Sequence, residues 1–325
     1  MIGEYAAVAA VTAMVVLVIG GVLAMAAARA WLRRHKASLG RRRDHLWDLF
    51  YGLDWGETTT NNYGFAPAEG EEPERFQLQM YRQHLQALVA SGRLGARTDL
   101  LEVSCGRGGG LAHLVRTWPV PVSATGLDYS QNALIACRER YGALDNLTFV
   151  HGSALALPFP DQSFDVVVNV EASNDYGDYE GFFREVRRVL RPSGAFLYCD
   201  TRKAENASRV PEALRRAGLA GEFRDITTNV IEACRQDSPR RVRLLKSRMP
   251  WIYWVLFRNE LRSYAAAEGS RKFKAFVNGE RVYVTTLAIP PLLALDGPGP
   301  HRGRSSTVEK AAALGWLTET MVDDA

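Results

Sequence analysis

The chain has 325 residues, more than the ~100–200 of an ordinary domain, and 47% of them are hydrophobic, enough for one sizeable core with attachments. A net charge of +4 is slight for this length and excludes a dedicated nucleic-acid binder, which would show a basic stripe with interleaved aromatics. The four cysteines, Cys105, Cys137, Cys199 and Cys234, have neither CxxC pairing nor metal-ligand spacing, so free thiols in a reducing compartment and no metal site are expected.

From Tyr5 to Ala28 the chain carries no charge, a run long enough to cross a bilayer, which takes ~20 apolar residues. The small residues of AMAAARA would also suit a cleaved signal peptide. However, Glu4 stands where a signal carries Lys or Arg, and the run exceeds the ~7–15 residues of a signal's apolar core. One transmembrane helix within residues 1–30 is therefore expected. Arg29, Arg33, Arg34, Lys36, Arg41, Arg42 and Arg43 follow it and only Glu4 precedes it. With one such span the protein is expected to be single-pass, and that asymmetry predicts its bulk on the cytoplasmic side; the same cluster could also pair with anionic headgroups.

Residues 31–74 read as this basic flank and a connector. Leu46, Trp47, Leu49, Phe50 and Tyr51 cluster over two helical turns, followed by the turn-rich ETTTNNYGFAPAEGEEPE. Read from its residues, the connector is an amphipathic helix lying on membrane or domain. Phe76, Met80, Gln83 and Ala87 then form one stripe of a helix that covers a sheet, opening the main domain, residues 75–290.

The segment LLEVSCGRGGG, Leu100 to Gly110, is an apolar run ending in an acid before a glycine-dense turn, and LAHLV follows it. That order predicts strand, tight loop and helix. Gly106, Gly108, Gly109 and Gly110 remove side chains where a ligand would approach the backbone, so a nucleotide-like cofactor is implied. PVSATGLDYS predicts a second strand with Asp128 at its end, where a carboxylate can accept from both ribose hydroxyls. HGSALALPFPDQSFDVVVNVEAS predicts a turn, a short helix, a Pro-Phe-Pro stop and a strand ending near Asn169. LRPSGAFLYCD predicts a turn and another strand.

Beyond these motifs, residues 204–260 read as cap helices. ENASRVPEALRRAGL is expected to be a helix, and EFRDITTNVIEACRQ a strand running into another. RRVRLLKSRMPWIYWVLFRNEL mixes basic residues with Met249, Trp251, Ile252, Trp254, Leu256 and Phe257. Its helix would line an apolar entrance, sit at a membrane interface or simply cap the core. GERVYVTTLAIP predicts the last strand, in a hairpin with FKAFV through Asn278-Gly279. In the tail, residues 291–325, one short helix capped by Ser306 or Thr307 is expected.

Glycine loop, ribose acid, LPFPDQSFDVVV and LRPSG, in that order, resemble the class I S-adenosylmethionine-dependent methyltransferases. More narrowly, EVSCGRGGG with NVEASNDY is similar to the phthiotriol and phenolphthiotriol dimycocerosate family of lipid and polyketide O-methyltransferases. The resemblance covers about residues 45–290 and not the N-terminus. It implies a doubly wound α/β fold with a mostly parallel seven-stranded, Rossmann-like sheet, here joined to the transmembrane helix, S-adenosylmethionine as cofactor, and the connector within residues 31–74 as a lid over it. Glu102 would hold loop amides or the methionine amino group, with Ser104, Gly106 and Gly108 along the methionine half. Asp128 would take the ribose, Tyr129 the adenine face, Ser153 and Ala154 the adenine edge, and Asn169 the floor. Two departures stand out: Ser104 where the wider superfamily has glycine, and Ser153 where an acid is usual.

The resembled family carries a histidine base after NVEAS, and this chain has Asn174 there. Glu171 is the first candidate for the base, with a structural contact as its alternative; Asn174 would orient the acceptor and Tyr176 lies on the same loop. His84 and His151 are expected to be structural. The implied activity is methyl transfer to a hydroxyl, enol or carboxyl of an apolar polyketide or lipid, with the membrane as the other partner. C- or N-methylation of a membrane lipid or isoprenoid, and a noncatalytic membrane adaptor of the same fold, are the alternatives.

Overall fold

The computed structural model describes residues 47–291 except Leu49 and Pro250. The expected transmembrane span, the basic flank and the tail helix lie outside the described residues. Among the described residues no helix is long and apolar enough to cross a membrane. From Tyr51 onward the described residues form one compact unit.

Seven strands make one sheet: β1 (Thr98–Val103), β2 (Val122–Asp128), β3 (Leu147–His151), β4 (Phe164–Val170), β5 (Leu190–Lys203), β6 (Phe223–Asp225) and β7 (Arg281–Ala288). Their order is β3-β2-β1-β4-β5-β7-β6. β1 to β5 run parallel, and β7 is antiparallel to both its neighbours. The doubly wound, mostly parallel seven-stranded sheet expected from the motifs is therefore present. The chain reverses its winding between β1 and β4, which opens a crevice at their carboxyl ends.

The motif strands are apolar without alternation because both faces are covered. Leu100, Val168 and Leu197 point into one core layer with Met80, Leu114 and Tyr283. Their neighbours Leu101, Val167 and Phe196 point into the other, with Phe182, Phe183 and Leu214. The covering helices are α1 (Arg75–Ala90), α2 (Gly109–Thr117), α3 (Gln131–Tyr141), α4 (Tyr179–Val189), α5 (Ala204–Ala207), α6 (Arg209–Arg216), α7 (Thr227–Arg248), α8 (Trp251–Tyr264) and α9 (Arg271–Val277). α4 shows the local logic: Asp178 accepts from Gly181 N–H at its start, and Phe182, Phe183, Val186 and Val189 form its buried stripe.

Four expectations need correction. No helix forms after Gly152: Ser153 and Ala156 make an isolated bridge, and Leu157 N–H and carbonyl are held extended by Glu185 and Arg188 of α4. After β6 the chain enters α7, not a strand, because Val230, Ala233, Cys234, Asp237, Arg241 and Leu245 recur at helical spacing and are buried. The basic, aromatic stretch is two helices: Met249, before Pro250, is extended at ψ 139°, as a residue preceding proline prefers. FKAFV is α9, capped by Ser270, rather than a hairpin partner of β7, whose two edges are taken by β5 and β6.

Candidate active site

The glycine loop leaves β1 through three residues of positive φ: Ser104 at 61°, Gly106 at 54° and Gly108 at 75°. A serine in that region is strained and must be held. Asn169 Nδ2 donates to the Tyr176 hydroxyl at 3.1 Å, which leaves the phenolic proton for Ser104 Oγ at 2.6 Å. The same Nδ2 donates to Val103 O at 2.9 Å, so the end of β4 clamps the exit of β1. Across the crevice, Asp128 accepts from Gly106 N–H and Ser130 N–H, both at 2.8 Å. Glu102 accepts from the Tyr81 hydroxyl at 2.8 Å, and its Oε2 is buried without a partner.

A strap from Tyr51 to Glu74 lies over this loop. Gly109 N–H donates to Thr59 O at 3.2 Å, and the Thr59 and Thr60 amides and hydroxyls all donate to the Glu74 carboxylate. Arg107 lies over the rings of Tyr51 and Trp55, and Arg140 binds the carbonyls of Gly56 and Glu57. The protein neighbours of the glycines follow from this. A Cβ on Gly109 would meet Thr59 Oγ1 at 2.1 Å, and one on Gly110 the Tyr81 ring at 1.9 Å. Those two glycines admit the strap and α1, a reason different from the ligand approach read from the sequence.

On the β5 side of the crevice stands Glu171, at a φ of 51° directly after β4. Its N–H is bonded to Cys199 O at 2.9 Å. Its Oε1 accepts from Tyr63 N–H and from the Tyr283 hydroxyl, each at 2.5 Å. Burial pushes its pKa up to about 7, against the two hydrogen bonds, which lower it. Lys272 lies 5.6 Å from the Tyr63 ring centroid, and Tyr264 OH donates to Asn61 Oδ1 of the strap at 2.6 Å.

A methyltransferase-domain family model matches residues 101–198, which span the loop, the ribose acid and β3 to β5. A probable phthiotriol/phenolphthiotriol dimycocerosates methyltransferase of Mycobacterium ulcerans is 37% identical over 239 residues, covering 69% of this chain and 88% of the relative. The chain belongs to the S-adenosylmethionine-dependent methyltransferases. A fatty-acid O-methyltransferase of Mycolicibacterium smegmatis is 38% identical over 167 residues, 51% of this chain and 58% of that protein. Among solved structures, the cyclopropane synthase MmaA2 of Mycobacterium tuberculosis aligns with a TM-score of 0.55 at 15% identity, over 74% of this chain and 93% of its own. At that identity the likeness is one of fold.

The residues of this methyltransferase fit its cofactor. Glu102 Oε2 is a buried acceptor without a donor, the partner an ammonium group requires. Burial raises Glu102 to about 8 and Asp128 to about 6. Both carboxyls thus hold a proton to higher pH folded than unfolded, so the stability they lend is full below the unfolded carboxyl range. It is lost as pH rises through about 6 and about 8. A cationic ligand reverses that loss by lowering both pKa values. We therefore expect S-adenosylmethionine binding at pH 7 to release protons. Calorimetry in buffers of different ionisation enthalpy reads this directly, and buffer-independent heats would contradict it.

The residues read as cofactor-binding converge on the crevice: Glu102, Ser104, Gly106 and Gly108 from β1 and its loop, Asp128 and Tyr129 from the end of β2, Ser153 and Ala154 after β3, and Asn169 from β4. Tyr129 is half exposed there, 5.8 Å from the His151 ring. The residues read as catalytic separate. Glu171 faces the strap and β7, while Tyr176 holds Ser104. Asn174 gives its N–H and its Nδ2 to the buried Asp200, at 2.7 and 2.8 Å. Reading the sequence missed Tyr63, Tyr283, Asn61 and Glu74, whose partners are distant in the chain; Tyr283 is 112 residues from Glu171.

Proposed function

We propose that the chain is an O-methyltransferase of an apolar lipid or polyketide acceptor, with Glu171 as the general base for a hydroxyl. The observation that carries this reading is the half-buried carboxylate directly after β4, fixed by two donors on one oxygen and poised at about pH 7, where a base works best. Relatives named for lipid and fatty-acid methylation support the acceptor class. When bound, S-adenosylmethionine supplies a methyl group already activated on a sulfonium. The chain's residues then have two tasks. Ser104, Glu102 and Asp128 fix the donor side of the crevice, and Glu171 orients the acceptor hydroxyl on the other side and takes its proton as the oxygen forms its new bond to carbon. Tyr176 and Asn169 act through Ser104 as positioning residues.

The uncharged run from Tyr5 to Ala28 supports a single-pass anchor, with the basic cluster after it placing the enzyme on the cytoplasmic side. The test is transfer of labelled methyl from S-adenosylmethionine into a lipid and polyketide extract. Label in an apolar product that is released by ester or ether cleavage is the expected result. Label that survives such cleavage would mean C-methylation and overturn the reading.

A further inference from the structure

Trp251 and Val255, one helical turn apart at the start of α8, are 75% and 60% exposed, and Leu53 of the strap is 48% exposed. Asp54 and Arg248 join these residues: their 2.7 Å ion pair ties the neighbour of Leu53 to the last residue of α7, three residues before Trp251. An apolar rim of this kind on a charged surface marks an interaction face. The charge around it is mainly basic, with Asp54 paired to Arg248. Between Ser238 and Arg258 the sequence has six basic residues and no acid; of these, Arg243, Lys246, Arg248 and Arg258 are exposed. Exposed tryptophan and valine ringed by cations suit the headgroup layer of an anionic bilayer.

The course of the chain points to the same occupant. The compact unit begins at Tyr51, two residues before Leu53, and the preceding sequence holds the bilayer-length run that ends at Ala28. α8 continues inward from the rim and ends at Tyr264, whose hydroxyl binds Asn61 of the strap. α8, kinked at Phe257, therefore leads from the apolar rim to the strap beside the crevice.

We infer that Leu53, Trp251 and Val255 form a face that docks on an anionic lipid surface, placing the crevice mouth against the bilayer from which the acceptor comes. The inference rests on the reading of a membrane-borne acceptor. Its test uses the full chain with a nitroxide on Val255→Cys, and on Ile135→Cys of α3 as the control. The four native cysteines are buried, which directs the label to the new thiol. On phosphatidylglycerol vesicles the label at 255 is expected to lose collisions with an aqueous nickel chelate and gain them with oxygen, while the label at 135 does neither. On phosphatidylcholine vesicles both labels stay aqueous.

A label at 255 that stays aqueous on both lipids would overturn the inference. So would equal immersion in both, or shielding before lipid is added, which would mean that residues 1–46 or a second copy cover the face. A second arm separates this from the activity. The double variant Trp251→Ser, Val255→Ser is expected to lose about tenfold in turnover of a vesicle-embedded acceptor and nothing with the same acceptor dispersed in detergent. Equal turnover in vesicles would count against docking. No turnover by the unaltered chain in detergent would count against the O-methyltransferase reading alone.

Discussion

Glu171→Gln is expected to lower kcat by about 10²–10⁴-fold, the usual contribution of a positioned general base, while the affinity for S-adenosylmethionine stays unchanged. Glutamine keeps the shape and accepts from Tyr63 N–H and Tyr283 OH but takes no proton. In the unaltered enzyme kcat should fall as pH drops below about 7, where the carboxyl becomes protonated; the variant should lack that limb. Tyr283→Phe supplies the sign check. The Tyr283 hydrogen bond lowers the Glu171 pKa, so its removal should shift the acidic limb to higher pH. Full activity of Glu171→Gln would leave the acceptor hydroxyl without a base in this site.

Arg241→Ala should be the most destabilising single change among the buried polar residues, by about 3–5 kcal/mol, as for breaking a buried pair by removing one partner. Arg241 is buried in α7, and its guanidinium donates to Asp237 at 2.8 Å, to Ala265 O at 2.9 Å and to Tyr63 O at 2.5 Å. The variant takes the guanidinium from two carbonyls and leaves Asp237 with Arg240 and the Gln77 amide as its donors. Burial opposes the charge on Asp237, yet Arg240 and Arg241 outweigh it and hold the pKa below the usual carboxylate range. A depressed carboxyl stabilises above its unfolded pKa and loses that contribution as pH falls through its folded value. The gap in urea midpoint between wild type and variant should therefore narrow toward acid. Arg241→Lys should recover only part of the loss, because an ammonium cannot span three acceptors in a fixed fork. An Arg241→Ala chain within about 1 kcal/mol of wild type would remove this cluster from the account of stability.

The parts of this fold that could be read from sequence are those whose cause is local. EVSCGRGGG and DVVVNV announce their strands because both faces of each are buried, and Asp128 announces itself by standing at a strand end. FKAFV is ambiguous for the same reason of locality: Phe273, Ala275 and Val277 fit a period of two while Phe273, Phe276 and Val277 fit the helical one, and the occupied edges of β7 decide for α9. The acceptor side was legible only at Glu171, since Tyr63, Tyr283 and Lys272 reach it from segments with no motif. The glycines illustrate a subtler limit. Their spacing pointed to a cofactor, while Gly109 and Gly110 are needed to seat Thr59 and Tyr81, contacts that no spacing within the loop can express.

Tyr63 is held through both of its backbone polar groups, the N–H by Glu171 and the carbonyl by Arg241. Lifting the strap would strip one of the two donors from the Glu171 oxygen, but it would also admit water to a carboxyl whose burial outweighs its hydrogen bonds. The net effect would be to lower its pKa. The strap's enclosure, rather than the hydrogen bond it supplies, is thus what holds the proton affinity of this base near neutrality.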